Sequence, residues 1–422
     1  AALSGGVWGV LDLVGAETTA KHGLAMRRAN GGHGGLDAKE ASAQGIGSGV
    51  VRFRPDGSAF EQYSSKGGNT WGHDFAADGD LFYTQPTSGD LLMHVLLPES
   101  VLARSPSSKV TSYQVVIKSP KSYPLMKSEQ MAYVQIDWVG SFTAAAGAAI
   151  YSGGSWPAAY NGHYFTTEPT INLVHHEAIG TKGAGYEGHK LRTEEFIGSH
   201  DLWFRPIETR IGPDGALYVL DFYNQAVIHN DTRGPEHNGV NAAVRPDRDH
   251  YFGRVWKVDH REARPLPAAK LSPTSPEDLM AALAHPNRAV RMNAHRLLVE
   301  RGNVEISRLA SNEKADPIAR VHALWIAEQL YGVEAPVLVA ALGSPELAVR
   351  KTAARIAGAA PATAAGKPAL EKDLMQAARG DSPALQLQAL AAMSASKPGD
   401  SIAPDLVALY PTLKDPWLEA AA

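Results

Sequence analysis

The pattern of apolar and polar positions changes period near residue 258. Before it, short apolar and aromatic runs are broken by Gly- and Asp-rich turns; after it, apolar residues return at i, i+3, i+4 and i+7. Three Asp-Gly pairs punctuate the first part, at Asp56-Gly57, Asp78-Gly79 and Asp214-Gly215. Each stands beside short strand-like runs such as Leu81-Phe82-Tyr83 and Leu217-Tyr218-Val219. Asp-Gly supplies the positive φ that a tight hairpin needs. A further hairpin with a longer turn around Trp156-Pro157 is predicted from Ala148 to Tyr151 and from Gly162 to Thr167. Hairpins of this kind, spaced by long loops, predict a β-propeller, partial or six-bladed; a β-sandwich is the alternative.

The second part predicts helices. Prolines at 286, 317, 345, 383 and 416 follow His285, Asp316, Ser344, Ser382 and Asp415, at intervals of 31, 28, 38 and 33 residues. A cap residue followed by Pro predicts a helix start, and the first four are followed by an apolar stripe. Helix pairs repeating at this period predict an α-solenoid of HEAT-like repeats. On that stripe Leu297, Leu298, Val321, Leu324, Ile356 and Leu390 are expected inside, and Arg291, Arg350 and Lys351 in solvent. The expected organisation is a β-propeller domain over 1–258, a Pro-rich linker over 259–276 and a HEAT-repeat solenoid over 277–422.

Composition narrows the chemistry. The 422 residues carry 40 Lys and Arg against 44 Asp and Glu, a net charge of −4, so nothing points to nucleic acid. The absence of Cys removes disulfides, thiolate metal sites and a CxxCH haem attachment from this chain. No apolar run is long enough to predict a transmembrane segment. Both ends fall inside predicted elements, so a piece of a longer protein is expected. No HExxH, GxSxG, Walker or GxGxxG context suggests a protease, esterase, nucleotide or dinucleotide site.

In a four-stranded blade the first strand lines a central channel, and the turn after it lies on one face. If the Asp-Gly turns at 78–79 and 214–215 lie there, the preceding and following loops lie on the other face. That face would gather Asn69, Trp71, Glu168, Trp203, Arg205, Asp221, Tyr223 and Asn224 into a substrate- or cofactor-binding pocket. His73, inside a predicted first strand, is the candidate base, with Asp221 a second candidate catalytic residue. Each also has a structural reading as a turn cap, a plug between blades or a loop ion pair. His175 and His176 are adjacent on a strand and point to opposite faces, which argues against one shared metal, and no metal site is expected. The insertion from His229 to His250 is a candidate lid.

Phe53-Arg54-Pro55-Asp56-Gly57-Ser58, Asp201-Leu202-Trp203-Phe204-Arg205-Pro206, the run from Gly212 to Asn224, and Gly253-Arg254-Val255-Trp256-Lys257-Val258 resemble the bacterial PVC-type membrane-bound dehydrogenase or haem-binding family. In that family a propeller similar to glucose/sorbosone dehydrogenases precedes HEAT repeats and a c-type cytochrome domain. The likeness covers most of 45–422 and leaves N-terminal blades and the cytochrome outside this chain. It implies a periplasmic or extracellular sugar or alcohol dehydrogenase of the quinoprotein type, membrane-associated through a partner. Electrons would pass to a c-type cytochrome domain or subunit. The alternative is a non-catalytic propeller and HEAT scaffold, binding protein partners through its repeats. The cofactor is left open. The family's quinone-contacting stretch reads Gly68-Asn69-Thr70 here, keeping the Asn and losing the Arg, and a Lys is missing near Thr167-Glu168-Pro169. A quinone with three carboxylates needs such cations.

Overall fold

A computed structural model describes residues 9–12, 26–28, 44–46, 48–53, 60–65, 70–85, 89–105, 109–125, 140–224, 251–302, 305–359, 367–396 and 402–422. The Asp56-Gly57 turn, Asn69 and the insertion from His229 to His250 lie outside these residues. β-Sheets fill the N-terminal part and helices the C-terminal part.

Strands β1 (Gly9–Asp12), β4 (Gly49–Phe53) and β5 (Phe60–Ser65) form one sheet in the order β1-β4-β5, and β2 (Met26–Arg28) pairs in parallel with β3 (Gln44–Ile46). Next comes an antiparallel sheet of β6 (His73–Phe75), β7 (Leu81–Tyr83), β8 (Leu92–Val95) and β9 (Tyr113–Ile117), in that order. A third holds β10 (Ala148–Ile150), β11 (Tyr164–Glu168), β12 (Leu173–Lys182) and β13 (Gly185–His189), with β14 (Ile197–Gly198) also on β12. The fourth is β15 (Pro206–Ile211), β16 (Leu217–Asp221) and β17 (Arg254–Val258). The hairpins at Gly79 and Gly215 have φ of 85° and 83°, the conformation for which Asp-Gly was read.

Sheets two to four stack face to face, because side chains alternate along each strand. Ala148 and Ile150 of β10 face Phe82 and Leu92 of the second sheet, while Ala149 packs with Leu217 and Val219 of the fourth. β11 and β12 divide likewise: Tyr164 and Leu173 on one side, Phe165 and Val174 on the other. The first strands β6, β10 and β15 are neighbours along one edge of the stack.

A short helix α1 (Glu99–Leu102) lies between β8 and β9. The C-terminal part runs through α2 (Pro276–Ala282), α3 (Arg288–Arg301), α4 (Ser307–Ser311), α5 (Pro317–Leu330), α6 (Ala335–Leu342), α7 (Leu347–Ala359), α8 (Lys367–Ala378), α9 (Pro383–Ser396), α10 (Ala403–Leu409) and α11 (Pro416–Ala421). Successive helices pair, α2 with α3 through α8 with α9; α3, α5, α7 and α9 form one layer and α4, α6 and α8 the other. Asp316 and Asp415 accept hydrogen bonds from backbone N–H groups of the first turn, with Pro at the first helical position. Two starts differ from the spacing. Asn287, one residue after Pro286, caps α3 by accepting from Val290 N, and α7 begins two residues beyond Pro345. Leu298, Val321, Leu324, Ile356 and Leu390 are buried in one core, with Leu297 packed against it.

The expectation for the charged side of the stripe is corrected. Arg291 and Lys351 are buried and Arg350 is half-buried. The face of α7 that periodicity assigns to water lies against the sheets. Lys351 Nζ is 2.6 Å from Asp78 Oδ2 and 2.6 Å from Asp80 Oδ2, and Arg355 pairs with Asp80. Arg288 of α3 pairs with Asp74 and donates to Phe75 O, and Asn287 Nδ2 donates to the carbonyls of Gly153 and Gly212. Trp417 Nε1 donates to Thr111 O. Helices and sheets are therefore clamped along the Asp-Gly turn side. The segment between them is pinned as well, since Arg264 N donates to Ser155 O.

Candidate functional site

The loops opposite the Asp-Gly turns bring together most of the residues chosen from sequence. Arg205 sits just before β15 and is 2% exposed. Its Nε donates to Asn224 O at 3.2 Å, and its Nη1 donates to the carbonyls of Pro169 and Thr170, each at 3.0 Å. Asp221 ends β16. Its Oδ1 accepts from the N–H groups of Arg205 and Tyr223, and its Oδ2 from Arg254 Nε and Trp256 Nε1. Glu168 ends β11 and is fully buried. Its Oε2 accepts from Thr143 N and Ala144 N, and its Oε1 from Thr170 N and Oγ1. Asn224 is buried, and its N–H donates to Trp203 O.

This network joins the third and fourth sheets, and its acceptors are filled from within the chain. Above it lie aromatic side chains. Tyr223, at φ 43°, has its ring 5.5 Å from Trp203 and 6.4 Å from Phe252, and the Arg254 guanidinium lies 3.4 Å from its centroid. Phe252 is 56% exposed. Trp71, two residues before the second sheet's first strand, is also exposed. Asn69 lies outside the described residues.

Among the described residues, these loops offer no uncommitted cation to a tri-carboxylate quinone. Arg205 directs its donors at loop carbonyls, and Arg254 is held by Asp221 and Asp201. No other Lys or Arg enters the described network.

His73 lies elsewhere, on β6, where burial lowers its pKa to about 4, with Arg210 adding to the effect. Arg210 of β15 is its electrostatic neighbour across β10, and Glu208 pairs with Arg210; sequence reasoning passed over both. Arg210 Nη1 donates to Ala148 O at 3.1 Å and its Nη2 is 3.1 Å from Glu208 Oε2. Burial raises the Glu208 carboxyl, opposed by Arg210. The His73 imidazole is therefore neutral at neutral pH, a weak base that gives up any proton it takes. The signal available was the i, i+2 charge pair Glu208 and Arg210 on a first strand.

His175 and His176 do point to opposite faces. His175 is held between Glu195 and Glu177 at 2.7 and 3.0 Å. Its pKa is raised: burial acts downward, and the two carboxylates outweigh it. His176 contacts His163 at 2.9 Å, and burial takes its pKa down to about 3. Among the described residues no group of three or more His, Asp or Glu side chains could hold a metal ion.

A family profile described as a domain of unknown function, DUF7133, matches residues 24–262. The chain belongs to the DUF7133 family. The DUF7133 match ends just past β17, so it takes in the sheets and leaves the helices outside. No curated protein matches this DUF7133 chain. A solved structure from Thermus thermophilus, described as an oxidoreductase (glucose dehydrogenase), is 17% identical with a TM-score of 0.26. The match covers 50% of this chain and 56% of that one, so it spans little more than half of the solved protein.

Proposed function

We propose that this DUF7133 chain is a β-propeller and HEAT-repeat scaffold that holds a protein partner of a larger redox assembly. The sheets are read as blades and the helix pairs as HEAT repeats. The observation that carries the proposal is the loop cluster around Arg205. Its polar groups hold the chain to itself, and Trp203, Tyr223 and Phe252 stand partly open above them. Aromatic side chains over a rigid polar base are the usual anchors of protein interfaces. In this reading Glu168, Arg205, Asp221 and Asn224 fix the loops, and the aromatic residues meet the partner. The exposed Leu220 and Val255 of the fourth sheet, 38% and 66% accessible, suit a chain that packs against further structure. The family resemblance suggests a c-type cytochrome domain or subunit as that partner, in a periplasmic or extracellular setting. No helix among the described residues is long and apolar enough to cross a membrane.

The test is co-expression with a c-type cytochrome domain and capture of the chain, read by the Soret band of the eluate. Haem should co-elute with the native chain and be lost with Trp203→Ala and Phe252→Ala. Equal haem recovery from both variants would refute the docking surface.

A second reading keeps oxidation of a sugar or alcohol on this chain, with His73 taking the hydroxyl proton and an external two-electron oxidant, such as the assay dye, taking the hydride. It rests on His73, which is buried and neutral with Arg210 as its neighbour and so has a free ring nitrogen to accept that proton. Dye-linked oxidation of aldoses and alcohols by the chain, abolished in His73→Gln, would decide for this reading and against a purely scaffolding role.

A further inference from the structure

A cavity of about 700 Å³ lies on the clamped side, away from the loops around Arg205. Its walls come from three parts of the chain: the Ala76-Ala77 turn, the loop from Ile150 to Gly162, and the helix starts at Pro286, Arg291 and Ile318. Glu262 and Arg264 of the connecting segment complete it. The wall is preorganised. Gly154 has φ +76°, and a Cβ there would stand 2.6 Å from the Pro286 side chain, so loop and helix start meet in one fixed fit.

The group that sets this cavity apart is Arg291. It is 5% exposed, and no carboxylate forms an ion pair with it among the described residues. Its Nη1 is anchored by the carbonyls of His285 and Pro286 at 2.7 and 2.8 Å, while its Nε has no partner. Ser152 Oγ, on the same wall, also lacks one. Burial and the neighbouring Arg288 lower the Arg291 pKa to about 10, which leaves it charged at neutral pH. Nearby charges do not neutralise it. Arg288 is paired with Asp74, and the Asp316 carboxylate caps α5 through Ile318 N and Ala319 N. Arg264 adds a second cation at the mouth, against the single carboxylate of Glu262. A buried guanidinium without a counter-charge is costly, and an oxyanion is the complement its geometry accepts.

We propose that this cavity binds a small oxyanion-bearing solute, a carboxylate or a phosphate, with Arg291 as the buried anchor and Arg264 as the cation at the entrance. The site is independent of the partner-binding reading and shares no residue with it.

The test is calorimetric titration of the full chain with inorganic phosphate, glycerol phosphate, acetate and glycolate, at ionic strength held constant with chloride. Saturable binding of one class is expected, and which class binds distinguishes a phosphate from a carboxylate ligand. Arg291→Gln should abolish it and Arg291→Lys should retain part of it. Arg264→Gln, an exposed change, should weaken it about tenfold, or 1.4 kcal/mol. Absence of saturable binding by every probe overturns the proposal, as does equal affinity in Arg291→Gln. If Arg291→Gln does not fold, unchanged affinity in Arg264→Gln overturns it.

Discussion

Replacing Lys351 with Met tests the clamp between helices and sheets directly. Lys351 is 2% exposed and meets two carboxylates at 2.6 Å. Removing one partner of a buried ion pair costs about 3–5 kcal/mol, because the other charge stays buried. Here the loss is softened. Asp80 keeps Arg355 and the Tyr186 hydroxyl, which donates to its Oδ2 at 2.6 Å, and the Asp78 side chain is 17% exposed to water. The expected cost is therefore at the lower end, about 3 kcal/mol. At about 2–4 °C per kcal/mol for a unit of this size, the melting temperature should fall by about 6–12 °C. Scanning calorimetry and urea unfolding followed by circular dichroism give both quantities. Asp80→Asn should cost at least as much, since it strands two cations. The double variant should cost less than the sum of the singles, because both sides of one interaction are removed. A loss below about 1 °C for Lys351→Met, or strict additivity with Asp80→Asn, would refute a clamp of this kind.

Arg205→Met should lower stability by about 2–4 kcal/mol, since it strands the Pro169, Thr170 and Asn224 carbonyls; denaturant titration measures it. Leu324→Ala, in the helical core, should cost about 2–5 kcal/mol in the same titration. Stability should also fall in mild acid. Burial holds His73, His94 and His295 at about 4, below the unfolded value of 6.5, so between these values the unfolded chain binds more protons. Their contribution is complete above pH 6.5 and is lost toward pH 4, at about 1.4 kcal/mol per pH unit for each histidine. His94 stays neutral despite Asp80 at 3.6 Å, because desolvation outweighs that attraction. His175 acts oppositely: its raised pKa gives stability present below pH 6.5 and lost as pH rises through its folded value. Unfolding free energies measured between pH 4 and pH 8 check both slopes.

Local chemistry was legible in the sequence by itself. Asp78-Gly79 and Asp214-Gly215 placed two hairpins, because a positive φ is a property of the residue and not of its surroundings. Asp316-Pro317 and Asp415-Pro416 placed helix starts, because a cap and a missing N–H act within one turn. The stripe through Val321, Leu324 and Ile356 marked the buried side. The adjacency of His175 and His176 sufficed to put them on opposite faces. The loops carrying Glu168, Arg205 and Asp221 were expected on one face only by reading the turns as those of propeller blades. Periodicity reports only that a face is polar, and what that face meets was decided by tertiary structure. Lys351 and Arg291 read as solvated and are buried, one against Asp78 and Asp80 and the other against a cavity. The Arg205 donors were open to assignment from sequence, and folding turned them toward backbone carbonyls. Hydrogen-bond partners and burial depend on segments far apart along the chain, and no window of sequence contains both sides of those contacts.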